Sequence, residues 1–316
     1  MPGTLAGFDL AFKKYGSGKL KWADLVRPAR MLAKDGFEIP YTLERSIWSY
    51  RDDLSKYEDS KKIYLNDGKF YKEGDRLVQR ELAETLQRIE QKGAREFYTG
   101  KTAALIAADM KAHNGLITLD DLKNYQAKER VPVRGTYRGY EILSMPPPSS
   151  GGAILLEILN MLEGYDLRAM GSNSSAKYQV VTEAMRRAFA DRAEFMGDAD
   201  FVDVPVSTLI DKKYAEKRRE SISLTAASTS AEIGHGDITG GEDLETTHFT
   251  VVDREGNIVS NTYTINNGYG SAATVKGAGF LLNDEMDDFA AAPGKPNMFG
   301  LIQGERNSVQ PNKRPL

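Results

Sequence analysis

The feature that most constrains the fold is an abrupt change of pattern before residue 247. Upstream, apolar residues recur at helical spacing, whereas residues 221–245 are dominated by Ser, Thr, Gly, Asp and Glu and keep no apolar period. Downstream, residues 247–252 and 258–265 alternate as strands do, and residues 253–257 have the composition of a turn. The sequence therefore predicts a mainly helical part, a linker or mobile loop, and a β-hairpin.

Within the helical part, local signals set the ends of individual elements. Thr118 and Asp121 form a capping-box pattern, Gly93 is a helix stop, and prolines 146–148 end a strand because proline has no N–H for a ladder. The predicted helices cover residues 80–91, 118–125, 153–162 and 175–196, and predicted strands cover residues 137–145 and 280–282.

Composition removes several classes of function. The 42 Lys and Arg residues against 45 Asp and Glu residues give a net charge of −3, which argues against nucleic-acid binding. The sequence contains no run of 18 apolar residues and therefore predicts no membrane-spanning helix. The absence of cysteine excludes disulfides, thiolate catalysis and Cys-ligated metals, and three widely spaced histidines argue against a zinc site. The length of 316 residues predicts about two domains.

The border between Glu245 and Thr246 has a possible chemical meaning. A threonine hydroxyl is a weak nucleophile that needs a neighbouring base, and its own α-amino group, with a pKa of about 7.7–8.0, can be that base. This use requires Thr246 to be the first residue of a chain, and therefore cleavage of the Glu245–Thr246 bond. On composition alone, Thr-Thr at the start of a strand indicates ordinary β-propensity.

Longer motifs around the border favour the nucleophile over an ordinary strand start. Thr-Thr-His-Phe-Thr-Val-Val-Asp at 246–253 is followed by Thr-Tyr-Thr-Ile-Asn at 262–266 and Leu-Leu-Asn-Asp-Glu-Met-Asp-Asp-Phe at 281–289. Pro-Asn-Lys-Arg-Pro-Leu ends the chain at 311–316, and Ser-Met-Pro-Pro-Pro-Ser-Ser-Gly-Gly lies upstream at 144–152. In this order the motifs closely resemble those of the γ-glutamyltransferase (glutathione hydrolase) family, over essentially the whole chain.

The resemblance implies an N-terminal-nucleophile hydrolase of the α+β class, folded as a four-layer αββα sandwich. A precursor would cut itself between Glu245 and Thr246. Residues 1–245 would form the C-terminal part of a large subunit, and residues 246–316 the N-terminal part of a small catalytic subunit. The implied activity is γ-glutamyl transfer and hydrolysis through a γ-glutamyl-threonine ester. Glutathione is the expected donor, water, an amino acid or a dipeptide is the acceptor, and no metal or cofactor takes part.

The same resemblance assigns roles to single residues. Thr246 is the nucleophile, Thr264 hydrogen-bonds it, and Asn266 contacts the glutamyl α-carboxylate or amine. Glu285 and Asp288 bind the α-ammonium, which needs carboxylates to offset its desolvation. Without the resemblance, Thr264 is a plain strand residue and the acidic run 284–288 is a solvated turn. That run lacks the alternating oxygen ligands and central glycine of an EF-hand.

Other candidates carry less chemistry. Ser149 and Ser150 suggest a helix N-cap after the prolines rather than a nucleophile, and His248 suggests an orienting or core role. Ala273 stands where a phosphate-binding fingerprint needs its third glycine. Residues 293–304 resemble the family's lid over the glutamyl pocket, with Phe299 where bacterial members often carry tyrosine.

Three parts expected from the family do not occur in the sequence: an upstream arginine that clamps the α-carboxylate, a Ser-Ser pair and a Gly-Gly oxyanion hole. The chain is therefore expected to be truncated at both ends, with unpaired sheet edges. The family suggests a periplasmic or secreted enzyme. Two alternatives stay open: a cephalosporin-acylase-like amidase, against which Glu285 and Asp288 argue because a glutaryl donor has no α-ammonium, and a catalytically incompetent fragment.

Overall fold

The computed structural model of the chain describes residues 2–233, 247–290 and 292–316. Single turns of 3-10 helix lie at Asn66–Gly68, Glu285–Asp288 and Glu305–Asn307. The helices are α1 (Thr4–Tyr15), α2 (Trp22–Asp35), α3 (Tyr41–Ser49), α4 (Arg51–Leu54), α5 (Glu58–Tyr64), α6 (Arg80–Lys92), α7 (Arg95–Thr99), α8 (Lys101–Ala112), α9 (Leu119–Asn124), α10 (Ala153–Leu162), α11 (Ser175–Phe195), α12 (Val206–Leu209), α13 (Lys212–Arg219) and α14 (Ser230–Ile233). The strands are β1 (Phe37–Glu38), β2 (Arg76–Leu77), β3 (Val133–Tyr137), β4 (Tyr140–Ser144), β5 (Thr247–Val252) and β6 (Ile258–Tyr263), and they pair as three separate antiparallel hairpins or ribbons.

The chain divides into two compact units. The first unit contains Met1–Lys128 and Glu245–Asp284, and the second contains Glu129–Leu244 and Glu285–Leu316. Each unit thus draws residues from both sides of the predicted cleavage bond. The division into subunits 1–245 and 246–316 stays a prediction, because compact packing does not report where a chain is cut.

In the first unit, the segment that follows β6 packs into two apolar clusters. Tyr269 and Ala272 join the cluster around α3, α5 and β2, whereas Val275 and Ala278 join the cluster around α8 and α9. The helices therefore hold the segment 268–284 in a defined path, and this segment in turn fixes the residues that directly follow the hairpin.

In the second unit, α10, α11 and α13 surround one apolar core. Met161 and Val180 are fully buried there, and the apolar side of α11 covers α10. The hairpin β3–β4 pairs from Val133 with Ser144 to Tyr137 with Tyr140. Its Gly135 lies against Leu156, where an added Cβ would approach a methyl carbon to 2.6 Å.

Most of the predicted elements are confirmed. The helices at 80–91, 153–162 and 175–196 agree with α6, α10 and α11 to within one residue at each end. Thr118 and Asp121 form the predicted capping box at α9, in which each side chain accepts a hydrogen bond from the other residue's N–H.

The strand predicted over residues 137–145 is confirmed with a later start. It is β4 (Tyr140–Ser144), which ends before the prolines as predicted. Arg138 and Gly139 have positive φ angles of 50° and 86° and reverse the chain between β3 and β4, although the apolar alternation continues there. The strand predicted at 280–282 is wrong, because these residues contribute only an isolated bridge between Leu281 and Thr274.

The first nine residues of the predicted linker or loop, here called the anchored segment (221–229), form no helix or strand, as predicted, whereas residues 230–233 form α14. Glu183 on α11 accepts hydrogen bonds from the N–H and hydroxyl of Ser228 at 3.0 and 2.7 Å. Gln179 donates to the carbonyls of Ser223 and Ala226, and Ile222 is buried in the core. The polar composition gave no sign of these contacts with α11. Residues 234–245 of the predicted loop lie outside the described residues.

Among the helices that the structure describes, none has the length and apolar character that a bilayer crossing requires.

Candidate active site

The hairpin β5–β6 leads into the predicted site. Its register runs from Val252 opposite Ile258 to Thr247 opposite Tyr263. His248 is exposed, and its ring nitrogens lie 2.8 Å from the Thr262 hydroxyl and 3.2 Å from the Ser260 hydroxyl. The core role considered for His248 is not seen among the described residues, and the orienting role stays a prediction.

Glu245 and Thr246, the predicted cleavage site and nucleophile, lie outside the described residues. Of the other predicted site residues, the structure describes Thr264 and Asn266 within the first unit, and Glu285 and Asp288 within the second.

Thr264 and Asn266 form a tight turn at the end of β6. The hydroxyl oxygen of Thr264 accepts the N–H of Asn266 at 2.9 Å. Asn266 is only 3% exposed and has a φ of 73°, in the left-handed region that asparagine tolerates better than most residues. Its amide donates to the carbonyl of Asp284 at 3.3 Å. The turn thus holds two predicted site residues side by side.

Three further residues, which the sequence gave no reason to select, brace this turn. Asp284 accepts the N–H of Asn267 at 3.1 Å on its carboxylate and donates its own N–H to the carbonyl of Ile265 at 3.3 Å. Tyr50 donates its hydroxyl to the side-chain oxygen of Asn267 at 3.0 Å. Asp284 lies inside the motif at 281–289 and Asn267 directly follows the motif at 262–266, although neither was predicted as a site residue. Tyr50 lies 217 residues from Asn267 and left no signal in the sequence.

In the second unit, the predicted ammonium-binding residues lie on the 3-10 turn Glu285–Asp288. Oε1 of Glu285 is buried. The carboxylate of Asp287 accepts the N–H of Met298 at 3.2 Å, and the carbonyl of Asp288 accepts the side-chain amide of Asn307 at 2.6 Å. The run is therefore not a freely solvated acidic turn, because its neighbours fix it from two sides.

The predicted lid residues contact this turn. A bridge pairs Pro296 with Ile302, and Asn297 accepts the N–H groups of Phe299 and Leu301 at 3.1 and 2.9 Å. A cavity of about 160 Å³ lies between the lid residues and the turn. Its lining includes Asp287, Phe289, Lys295, Met298, Leu301 and Gln303.

The N-cap predicted for Ser149 and Ser150 is wrong. The N-cap of α10 is Gly152, which has no side chain to accept a helical N–H. Ser149 instead accepts the N–H of Gly151 at 3.2 Å, and Ser150 accepts the Nε–H of Arg192 at 2.9 Å. Arg192 is therefore a buried cation that sequence reasoning missed, since arginines on a long helix are ordinarily exposed.

Among residues 2–233, 247–290 and 292–316, no group of three His, Asp or Glu side chains is placed to hold a metal ion.

Known proteins resemble the chain over all or most of its length. The family model for gamma-glutamyltranspeptidase matches residues 1–316. A glutathione hydrolase proenzyme of Escherichia coli (strain K12) is 46% identical over 316 residues, which are 100% of this chain and 54% of the relative. An Acylase ACY 1 proenzyme of Pseudomonas sp. (strain SE83) is 39% identical over 97% of this chain and 53% of the relative. The chain thus spans about half the length of the curated relatives it matches.

A solved structure of a gamma-glutamyltranspeptidase has a similar fold. The crystal structure of Helicobacter pylori gamma-glutamyltranspeptidase matches with a TM-score of 0.72 and 45% identity, over 76% of this chain and 68% of that chain. This likeness confirms the predicted α+β fold of the N-terminal-nucleophile hydrolases. On the match of the family model to every residue, the chain belongs to the gamma-glutamyltranspeptidase family.

Proposed function

We propose that this chain carries part of an enzyme that transfers and hydrolyses γ-glutamyl groups after cutting itself between Glu245 and Thr246. The observation that carries the proposal is the register of β5–β6. The last pair of the hairpin is Thr247 with Tyr263, so Thr264 directly follows the strand that pairs with the start of β5. This position supports Thr264 as the hydroxyl partner of the nucleophile that the family assignment implies.

Self-cleavage would follow from the chemistry of threonine. The Thr246 hydroxyl attacks the carbonyl carbon of Glu245, the C–N bond breaks, and the released α-amine stays on Thr246 while an ester joins the two residues. Water then hydrolyses the ester. The free amine, with an unperturbed pKa of about 7.7–8.0, becomes the base that the hydroxyl lacked.

Turnover would reuse these groups. The amine takes the hydroxyl proton as the Thr246 oxygen attacks the γ-carbonyl carbon of the donor, and the same proton passes to the leaving amine. The resulting γ-glutamyl ester is then opened by water, an amino acid or a dipeptide. Asn266 is proposed to contact the donor's α-carboxylate or amine, and Glu285 and Asp288 its α-ammonium, with glutathione as the natural donor.

The first test is the intact mass of the purified chain after incubation near neutral pH. We expect two fragments, the smaller beginning at Thr246, and an uncut 35.0 kDa chain for Thr246→Ala. If the chain stays uncut, the same pair is compared in the protein that the whole gene encodes. An uncut product there as well contradicts self-cleavage at this bond.

The role of Thr264 has its own test. Thr264→Ala should slow self-cleavage by about tenfold or more, because a hydrogen bond to a charged or developing charge contributes about 1.5–3 kcal/mol. The matched control is Thr250→Ala, which changes an exposed strand threonine on β5. Equal rates of self-cleavage in the two variants would contradict a role for Thr264 in the reaction.

The acylase relative supports a second candidate, an amidase with another acyl donor. The two functions differ in the donor's α-ammonium, which γ-glutamyl compounds have and glutaryl compounds lack. Asp288→Lys should abolish cleavage of γ-glutamyl-p-nitroanilide if the first function is correct. Retained cleavage of that donor, or preference of the unaltered enzyme for a glutaryl donor, would favour the acylase.

The compartment proposed with this function is periplasmic or extracellular, and this part of the proposal rests on the family alone. Fractionation of cells that express the whole gene, with detection of the small subunit, tests it.

A further inference from the structure

The second unit contains a buried lysine that the proposed reaction does not use. Lys313 is only 4% exposed. Its side-chain nitrogen donates to the main-chain carbonyl of Arg306 at 2.7 Å and to that of Ser308 at 3.0 Å. Burying an ammonium group costs free energy unless hydrogen bonds satisfy it. The two carbonyls therefore hold Lys313 in place, and Lys313 in turn fixes the main chain of residues 306–308.

The two carbonyls that Lys313 binds lie on either side of Asn307, which is 1% exposed. The side-chain amide of Asn307 donates to the carbonyl of Asp288 at 2.6 Å, and its main-chain carbonyl accepts the N–H of Ala290 at 3.0 Å. Lys313 thus binds the main chain on both sides of Asn307, and Asn307 binds the main chain at Asp288 and just after it. Printed step by step, hydrogen bonds connect the lysine to a residue proposed to bind substrate.

The segment that carries Lys313 is itself fixed to the interior of the unit. The N–H of Arg314 donates to the carboxylate of Asp198 at 2.9 Å, and Asp198 is fully buried. Leu316 packs against the apolar core around α10 and α11. A binding group that is held in its bound position loses less freedom when the ligand arrives, and this lowers the cost of binding. A rigid anchor for the acidic turn would have this effect on donor binding.

We propose that Lys313 is a positioning residue for donor binding: through Asn307 it fixes the main chain of Asp288, and with it the carboxylate that is proposed to bind the α-ammonium. The role rests on the proposed function and deepens it, because it concerns the same ammonium site. Neither Lys313 nor Asn307 needs to touch the substrate. The Lys-Arg-Pro-Leu run at 313–316 thereby has a function in the second unit.

Loss of this anchor should weaken donor binding and leave the nucleophile unaffected. Self-cleavage uses the hydroxyl of Thr246 and involves no donor ammonium, so it should not depend on Lys313. Structural damage has a different signature, because a smaller fraction of folded protein lowers the apparent kcat and the yield of self-cleavage but leaves KM unchanged. The two kinetic constants therefore separate a positioning role from damage to the fold.

The experiment compares variants of the protein that the whole gene encodes. Lys313→Met keeps a long aliphatic side chain but removes the N–H donors. We expect the KM for γ-glutamyl-p-nitroanilide to rise about tenfold, the effect of losing about one net hydrogen bond. We expect kcat to change by less than about threefold, and the rate of self-cleavage to stay within about twofold of the unaltered protein, as for lost binding that is common to ground state and transition state.

Two companion variants sharpen the test. Lys313→Arg restores N–H donors and should recover much of the KM. Asn307→Ala keeps Lys313 but removes the amide that binds the carbonyl of Asp288, so it should raise KM in the same way, and it carries the test if Lys313→Met fails to fold. The KM of the double variant should be no higher than that of the more affected single variant, because both substitutions interrupt one path.

Lys212→Met is the matched control. Lys212 also belongs to the second unit and also donates to a main-chain carbonyl, that of Thr136 at 3.0 Å. Its side-chain nitrogen also donates to the side chains of Asn160 and Glu163. These partners lie outside residues 285–308, so the KM of Lys212→Met should match that of the unaltered protein.

The outcomes are distinct. If the unaltered protein neither cuts itself nor cleaves the donor, the proposed function fails and the role of Lys313 fails with it. If the unaltered protein is active but Lys313→Met and Asn307→Ala raise KM no more than Lys212→Met does, Lys313 is not a positioning residue. A fall in kcat and in self-cleavage at constant KM would show damage to the fold alone and would equally overturn the proposed role.

Discussion

The two units are stabilised by different physical means. Within the described residues, the first unit buries a single charged side chain, Glu96, whereas the second buries seven. Those seven are Glu157, Glu183, Arg187, Asp191, Arg192, Asp198 and Lys313. Apolar packing and backbone geometry therefore dominate in the first unit, and buried charge is concentrated in the second.

The turn at Thr264–Asn266 illustrates the first mode. Its bonds run mainly between main-chain groups and short side chains, and the segment behind it passes very close to itself. An added Cβ at Gly270, whose φ is 54°, would lie 2.3 Å from the carbonyl oxygen of Leu282. Such geometry is determined by the backbone conformation and by close packing.

The pair Glu183–Arg187 illustrates the second mode. The two side chains are 1% and 3% exposed and approach to 2.7 Å. Desolvation pushes the pKa of Glu183 upward, but hydrogen bonds from Ser228 and Arg187 outweigh it and leave the pKa below its ordinary value. Buried charges of this kind are tolerated only while their partners stay in place, so the second unit should be the more sensitive to single substitutions and to pH.

The largest expected effect is on the stability of the second unit. Arg187→Met removes the buried cation that pairs with Glu183 and leaves it only the partly exposed Arg186 at 3.6 Å. The variant should lower the free energy of unfolding by about 3 kcal/mol, the lower end of the range for breaking a buried pair. Arg134→Met is the control, since its pair with Glu141 is exposed on both sides and contributes about 0.2–1 kcal/mol. Urea unfolding measures both, and hydrogen exchange by peptide mass spectrometry assigns the loss to a unit. Equal effects would contradict the contrast between buried and surface charge.

A second prediction concerns pH. Burial and the neighbouring charge of Asp191 raise the pKa of Glu157 to about 10, so the folded chain keeps a proton that the unfolded chain releases near pH 4.5. Stability is then fullest below that lower value and is lost as pH rises toward the folded pKa, by about 1.4 kcal/mol per pH unit. Glu157→Gln should remove about 2–3 kcal/mol of the loss between pH 6 and 8.

The control for this prediction is Glu163→Gln, because Lys212 and the Arg138 N–H hold the pKa of Glu163 below its ordinary value. That variant should keep the alkaline loss. Urea midpoints at pH 6, 7 and 8 compare the three proteins. If Glu157→Gln retains the full pH dependence, Glu157 is not the protonated group and the charge-based account of the second unit loses its main support.

The third prediction tests backbone control in the first unit. Asn266→Gly and Asn266→Val both remove the side-chain amide, but only valine resists a φ of 73°. The free energy of unfolding of Asn266→Val should therefore be lower than that of Asn266→Gly by about 1–2 kcal/mol. The measurement is the difference in urea midpoint between the two variants. Both variants lose the hydrogen bond to Asp284, so that loss does not contribute to the difference. Equal midpoints would show that the turn is not held by its backbone conformation.

The same contrast explains how much could be predicted from the sequence. Local periodicity and capping placed α6, α9, α10 and α11, and the motifs identified the family and the hairpin. The turn at Arg138–Gly139 was missed because two left-handed residues reversed a chain whose alternation continued. Tyr50 and Arg192 were missed because their partners, Asn267 and Ser150, lie 217 and 42 residues away, and nothing local marks such a pair.

The last prediction concerns the anchored segment, where the effect should be local. The double variant Gln179→Ala, Ser228→Ala removes the bonds from the Gln179 amide to two carbonyls of the segment and the bond from the Ser228 hydroxyl to Glu183. It leaves the Glu183–Arg187 pair intact. Global stability should fall by only about 1–3 kcal/mol, the sum of a few hydrogen bonds. Cleavage by elastase within residues 224–228 should nevertheless accelerate severalfold, because proteolysis follows local opening.

Thr225→Ala is the control, since Thr225 bonds only to Ser223 within the segment. The measurement is the rate at which the elastase product forms, read by intact mass. If the double variant is cut no faster than the control, side-chain bonds do not hold residues 221–229, and the burial of Ile222 in the apolar core alone accounts for the fixed segment. The second unit would then resemble the first more closely than its buried charges suggest.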